Sequence, residues 1–152
     1  MTVTNTIFST LVVAGLSVAT VVGAGEAVAD PASSATLSLD VSNVEEIDGN
    51  LMIALFKGED SWKSNDAAEG KMVPVTSETM SISFDGLKPG EYGIKIFHDV
   101  NSDGELNLGN FGIPSEPYAF SNDAPVNFGP PSWTSAHFTI ADGDNSHTVT
   151  LK

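Results

Sequence analysis

The sequence predicts an all-β protein, built as a single β-sandwich of about seven strands with one long loop. Three observations support this prediction. Apolar and polar residues alternate in several short segments, turn-forming residues separate those segments, and no stretch shows a convincing amphipathic helical pattern. At 152 residues the chain has the length of one domain, and a sandwich core fits within that length.

The predicted strands follow one another with short polar connections. They cover residues 35–41, 51–56, 72–75, 80–84, 92–97, 137–140 and 148–151. In the first of them Leu37, Leu39 and Val41 alternate with polar residues, which is typical of a half-buried strand. The continuous apolar run 51–56 indicates a central strand, and the polar segment 59–70 that follows it is expected to make one helical turn.

Residues 1–29 have the pattern of a signal peptide. Apolar or small residues fill positions 7–25, and Ala27-Val28-Ala29 matches an A-x-A cleavage motif before Asp30. We therefore expect export to the periplasm or the cell exterior, with a β-sandwich domain over 30–152 and no stable membrane insertion after cleavage. A membrane-spanning anchor is the alternative, because no Lys or Arg precedes the apolar run.

The composition excludes several classes of partner. Twenty acidic residues stand against six basic ones, all lysine, and the net charge is −14. Without arginine, and with a field that repels phosphate, the protein is not expected to bind nucleic acid or to dock on anionic lipid. Cysteine is absent, which excludes disulfides and thiolate metal sites. The partner we expect is an unidentified ligand or protein of the cell envelope.

A calcium-binding loop is predicted just after the strand at 92–97. Asp99, Asn101 and Asp103 occupy positions one, three and five of the D-x-[DN]-x-[DN]-G pattern, and Gly104 stands at the sharp turn. This spacing suits calcium because the ion takes six to eight oxygen ligands from a tightly curved backbone. The alternative is a loop of Asx turns held only by its own side-chain-to-backbone hydrogen bonds.

The second half of that loop is less regular. Glu105 at position seven would offer its backbone carbonyl, and Asn107 at position nine would bind directly or through water. Leu106 is expected to anchor the loop in the core. The usual bidentate Glu at position twelve is replaced by Asn110, and Glu116 is the best substitute. With few carboxylates, the affinity for calcium is expected to be weak, on the order of 0.1 to 1 mM.

The segment 99–134 lacks strand periodicity and is too long for a simple connection. It contains five aromatic residues: Phe111, Tyr118, Phe120, Phe128 and Trp133. These rings could line a groove for a sugar, lipid or peptide, or they could form a satellite core that fixes the segment on the sandwich. The sequence leaves both possibilities open.

Five short motifs stand out in the second half of the chain. They are FHDVNSDG at 97–104, FGIP at 111–114, YAFSN at 118–122, FGPP at 128–131 and AHF at 136–138. Together they closely resemble the bacterial DUF2141 family of secreted proteins, and the likeness extends over residues 36–151. The motif LKPGEY at 87–92 is also similar to prealbumin-like and Cna-B-like sandwich domains. The resemblance implies a prealbumin-like sandwich and secretion, but the function of the family is undefined.

The loop also resembles that of calcium-bound B-type repeats in bacterial surface adhesins, although Asn107 stands where relatives of the chain often have Asp. No G-x-S-x-G elbow, cysteine nucleophile, H-E-x-x-H motif or phosphate loop occurs. We therefore expect a non-catalytic protein of undefined role, with a calcium-stabilised loop and with ligand or partner binding at the aromatic loop. A cell-envelope hydrolase that uses loop carboxylates and a purely structural or adhesive module are the alternatives.

Overall fold

The computed structural model describes residues 34–152, and within them the protein is all-β, as predicted. The strands are β1 (Ala35–Ser42), β2 (Asn50–Lys57), β3 (Glu69–Pro74), β4 (Met80–Leu87), β5 (Gly90–Asp99), β6 (Tyr118–Phe120), β7 (Phe138–Ile140) and β8 (Gly143–Thr150). Two short α-helices, α1 (Glu59–Ser64) and α2 (Trp133–Ala136), and two 3₁₀ turns complete the structure. The predicted signal peptide, 1–29, lies outside the described residues.

The strands form two sheets. The first has the order β4-β1-β8, in which β1 runs antiparallel to β4 and parallel to β8. The second has the order β3-β2-β5-β6, and β7 also pairs with the beginning of β5. All pairs in this second sheet are antiparallel. Strand β5 therefore pairs with three strands, β2, β6 and β7.

The core lies between the inner faces of the two sheets. In β1 every second residue is buried, as the alternation of Leu37, Leu39 and Val41 predicts. Leu51 and Ile94 contribute to the same apolar cluster from the second sheet. Each such side chain contributes about 1.5–3 kcal/mol on burial, so this alternation accounts for the register of both sheets.

The structure departs from the predicted strands in two places. Strand β6 lies inside the segment predicted as one long loop, and it divides that segment into two connections. It is only three residues long and exists because it pairs with β5, which a local pattern cannot indicate. Strand β8 also begins at Gly143, five residues before the predicted strand at 148–151, because its first residues pair in parallel with Ala35 and Thr36.

Candidate functional site

The outer face of the second sheet is apolar in its middle. Strand register aligns Met72, Met52, Phe97 and Tyr118 in one row across the four strands. Met72 is exposed and the other three are half-buried. Antiparallel sheets commonly present polar residues on the face that is not packed on the core, so an apolar row that reaches solvent indicates a contact surface.

The neighbouring row has a different character. It aligns Ala54, Lys95 and Phe120, and Lys95 brings a cation into an otherwise apolar surface. The two rows form the floor of a groove of about 680 Å³. This volume lies in the range of small-molecule sites, which are concave, mostly apolar and supplied with few polar groups.

A second groove adjoins the first and extends it over the aromatic segment. It has a volume of about 710 Å³. The two grooves share four lining residues: Leu106, Tyr118, Phe120 and Pro130. Phe111 and Phe128 line only the second groove. Four of the five aromatic residues predicted for a ligand groove therefore line one or both of these grooves.

The two outer phenylalanines are held in solvent by strained backbone. Phe111 is 99% exposed and Phe128 is fully exposed. Their φ angles are 64° and 54°, in the left-handed region that bulky residues avoid, and each is followed by a glycine. Such a conformation costs on the order of 1–3 kcal/mol. Exposed rings on strained turns are unfavourable for the free domain, which is typical of residues that serve contact with another molecule.

Trp133 lies in a different environment. Its ring packs beside Trp62, with ring centroids 6.0 Å apart, in a satellite cluster that also contains Phe56. Trp133 does not line either groove. The Trp62 indole N–H also donates to the Pro131 carbonyl at 3.1 Å, which fixes the Pro-Pro segment on α1. The groove and the satellite core predicted as alternatives thus both occur, and Phe120 contributes to both.

The polar residues between these aromatics fix the segment to the sheet. The buried Ser121 hydroxyl accepts the Ile94 N–H at 2.9 Å and donates to the Ala136 carbonyl. The Asn122 amide donates to the carbonyls of Ser135 and His137 at 3.1 and 2.8 Å. Both side chains therefore form hydrogen bonds to backbone groups, and these bonds fix the segment after β6 to β5 and to α2.

The predicted calcium loop is compact and closed by hydrogen bonds. Asp99 ends β5 and is 1% exposed. Its carboxylate accepts the backbone N–H groups of Asp103 at 3.1 Å and Gly104 at 2.9 Å. The Asp103 carboxylate accepts the side-chain amides of Asn101 and Asn107, both at 2.9 Å. Four of the predicted ligand residues are thus brought within hydrogen-bond distance of one another.

Glu116 also contacts the loop, although it lies nine residues beyond Asn107. It is 8% exposed, and its two oxygens accept the N–H groups of Val100 at 3.1 Å and Asn107 at 2.9 Å. Glu105 is exposed, and its carboxylate has no hydrogen bond within the described chain. Across residues 34–152, no three carboxylate or imidazole side chains converge in a metal-binding group. A cation here would therefore depend on amide and carbonyl oxygens as well as carboxylates.

The electrostatics of the loop favour a cation. No lysine lies between Lys95 and Lys152, a stretch that contains all four loop carboxylates. None of the ion pairs found in residues 34–152 includes Asp99, Asp103, Glu105 or Glu116. Hydrogen bonds from the Asn107 amide, the Glu105 N–H and the Asn101 amide lower the pKa of Asp103, which keeps it ionised.

Leu106 connects this loop to the groove. The residue was expected to enter the core, but it is half-buried and lines both grooves. The start of the loop is fixed from the other side, because Gly49 packs directly on the Asp99 carbonyl oxygen and leaves no room for a side chain. The buried His98 ring, whose Nε2 lies 2.7 Å from the Asp48 carbonyl, fastens the same turn.

The sequence reasoning missed Met52, Met72, Lys95 and Phe97 as groove residues. A signal was present in the run 51–56, which is apolar at every position and was predicted as a central strand. In a sheet with one solvated face, such a run places apolar side chains on both faces. The absence of alternation therefore indicated that the outer face of β2 would also be apolar.

The fold and the site define an all-β protein of two packed sheets, with an apolar groove on the outside of one sheet and an acidic loop at its edge. The family model of DUF2141, described as an uncharacterized protein conserved in bacteria, matches residues 39–148, and the chain belongs to this family. Neither a curated protein nor a solved structure matches the chain. Within residues 34–152, no helix has the length and apolar character needed to cross a membrane.

Proposed function

We propose that the protein is a non-catalytic binding protein of the periplasm or the cell exterior, which holds an apolar ligand in the groove on the outer face of the second sheet. The observation that carries this proposal is the row Met72, Met52, Phe97 and Tyr118, an apolar sheet surface that lines an open groove. A sheet face of this kind is stabilised when a ligand removes it from water.

Location and fold class complete the proposal. The A-x-A motif at 27–29 supports export. The two-sheet architecture, together with the LKPGEY motif at the β4–β5 connection, supports a prealbumin-like sandwich. The hydrolase alternative receives no support from the loop, since the carboxylates of Asp99 and Glu116 each accept two backbone N–H groups.

The loop 99–107 serves in this proposal as a calcium-stabilised wall of the groove. Calcium would bind the side-chain oxygens of Asp99, Asn101 and Asp103, the Glu105 carbonyl and Asn107, with Glu116 holding the loop backbone. Support comes from the ligand spacing and from four carboxylates that form no ion pair within residues 34–152. Because Leu106 lines both grooves, ordering this loop would fix their shared wall.

Calcium binding is tested by titration calorimetry and thermal unfolding. We expect a binding constant on the order of 0.1 to 1 mM and a rise in melting temperature with added calcium. Asp103→Asn should lose both effects. The control is Asp142→Asn, which removes the same charge from an exposed turn outside the loop. No heat and no rise in melting temperature at several millimolar calcium would contradict the calcium proposal.

Ligand binding is tested with N-phenylnaphthylamine, a neutral apolar fluorophore. We expect its fluorescence to rise on binding, and Met72→Glu to weaken binding by about tenfold, because a charge in the groove must lose water when the ligand binds. The control is Ile47→Glu, which adds the same charge at another exposed apolar residue, outside the groove. Absence of binding, or equal loss in both variants, would favour a purely structural or adhesive module.

A further inference from the structure

Lys95 is an unusual cation for this protein. It lies on the groove floor between Ala54 and Phe120. Like Lys57, Lys88 and Lys152, it has no carboxylate of residues 34–152 within ion-pair distance, but Lys95 is half-buried and lines the groove. The other lysine that lines the groove, Lys71, lies 3.7 Å from the carboxylate of Glu69.

The ammonium group of Lys95 is held by neutral partners. Its Nζ donates to the Asn65 side-chain oxygen at 2.8 Å and to the Trp62 carbonyl at 3.2 Å. It also lies 4.5 Å from the Phe56 ring centroid and 4.6 Å from that of Trp62. An ammonium has three N–H donors, so these two acceptors leave one donor for another molecule.

Partial burial makes this arrangement costly for the free protein. Burial lowers the pKa of Lys95, because the charged form loses hydration that the aromatic rings replace only in part. The cost falls when an anion supplies the missing partner, since a charge-assisted hydrogen bond is about twice as strong as a neutral one. The groove thus combines an apolar floor with one positive charge whose partners within the described residues are all neutral.

We propose that the ligand of this groove is a single-chain amphipath with a carboxylate headgroup. This inference rests on the proposed binding function. The chain would lie along the row of Met52, Phe97 and Tyr118, and the carboxylate would accept the remaining N–H of Lys95. A monoanion fits better than a dianion, because one donor is free and the net charge of −14 disfavours additional negative charge. The same net charge disfavours docking on an anionic membrane surface.

The experiment compares three ten-carbon amphipaths that differ in the headgroup: decanoate, decanol and decyltrimethylammonium. Each displaces N-phenylnaphthylamine at pH 7.5, in calcium-free buffer and below its micelle-forming concentration. We expect decanoate to compete at about tenfold lower concentration than decanol, and the cationic compound to compete worst. Lys95→Met should remove the preference, so that decanoate and decanol compete at similar concentrations.

Two further variants make the result specific. Lys88→Met removes the same charge from an exposed position outside the groove and should keep the preference for decanoate. Lys95→Arg retains the charge and should keep most of the preference, which tests the proposal even if Lys95→Met fails to fold. The headgroup proposal is overturned if all three amphipaths compete equally, or if Lys88→Met loses as much of the preference for decanoate as Lys95→Met. The groove proposal stands in both cases. Failure of the fluorophore itself to bind overturns the groove proposal.

Discussion

Replacement of Glu116 by Gln should destabilise the loop at the edge of the groove. In the native protein one carboxylate accepts the N–H groups of both Val100 and Asn107, at 3.1 and 2.9 Å, and is 8% exposed. Glutamine retains one acceptor oxygen, and its NH₂ group would face the second N–H. A hydrogen bond to a charged group contributes about 1.5–3 kcal/mol, so Glu116→Gln should lower the free energy of unfolding by about this amount.

The measurement is urea unfolding together with amide hydrogen exchange. We expect faster exchange at Val100 and Asn107 in Glu116→Gln, because one N–H loses its acceptor and the other keeps only a neutral one. Glu105→Gln is the matched control, since it makes the same charge change in the same loop at an exposed side chain. The reasoning is wrong if the two variants lose equal stability, or if exchange at the two amides is unchanged in Glu116→Gln.

Three further predictions concern the sheet, the pH dependence and the aromatic turns. Gly93→Ala should cost about 1–3 kcal/mol in urea unfolding, because an added Cβ would lie 2.9 Å from the Trp62 ring and 3.0 Å from that of Trp133; an unchanged midpoint would contradict this packing. Burial lowers the pKa of His147, so the unfolded chain takes up the proton at a higher pH than the folded protein does. The free energy of unfolding should therefore fall as the pH decreases below about 6.5, and it should fall less in His147→Asn. Phe111→Asn should raise stability by about 1 kcal/mol in thermal unfolding, since Asn tolerates the φ of 64° and an exposed ring is lost; a decrease would refute the assigned strain.

Regular alternation made the all-β fold predictable. Strand β1 has buried residues at every second position, and the pattern of Leu37, Leu39 and Val41 determines which face packs inward. Strand β6 could not be predicted in the same way. It is three residues long, and Tyr118 is fixed by two backbone hydrogen bonds with Lys152 and by pairing with Phe97. Those contacts join segments that are distant in sequence, so no local pattern predicts them.

The compact loop 99–107 was predictable as a unit because its residues are close in sequence. Spacing alone brings Asp99, Asn101 and Asp103 together on a tight turn. The role of Glu116 depends on the path of the chain between Asn107 and Glu116. The sequence therefore predicted Glu116 only as a substitute ligand. Its observed contacts are with backbone N–H groups.

The groove itself depends on which surface stays uncovered. A strand pattern assigns Met52 and Phe97 to one face, but it cannot indicate whether another element covers that face. The aromatic residues were identified from composition, and only the packing separates Trp133, in the satellite cluster, from Tyr118, on the groove floor. The sequence does not identify Lys95 as a groove residue, because a single lysine in a strand is common.

The most direct test of a calcium-ordered groove wall is the affinity of N-phenylnaphthylamine measured with calcium and with chelator. We predict several-fold tighter binding in calcium, and an equal factor by which the fluorophore tightens calcium binding, since coupling between two sites is reciprocal. Asp103→Asn should bind the fluorophore with the same affinity in both buffers. Equal affinity of the unmodified protein with and without calcium would contradict the coupling of loop and groove.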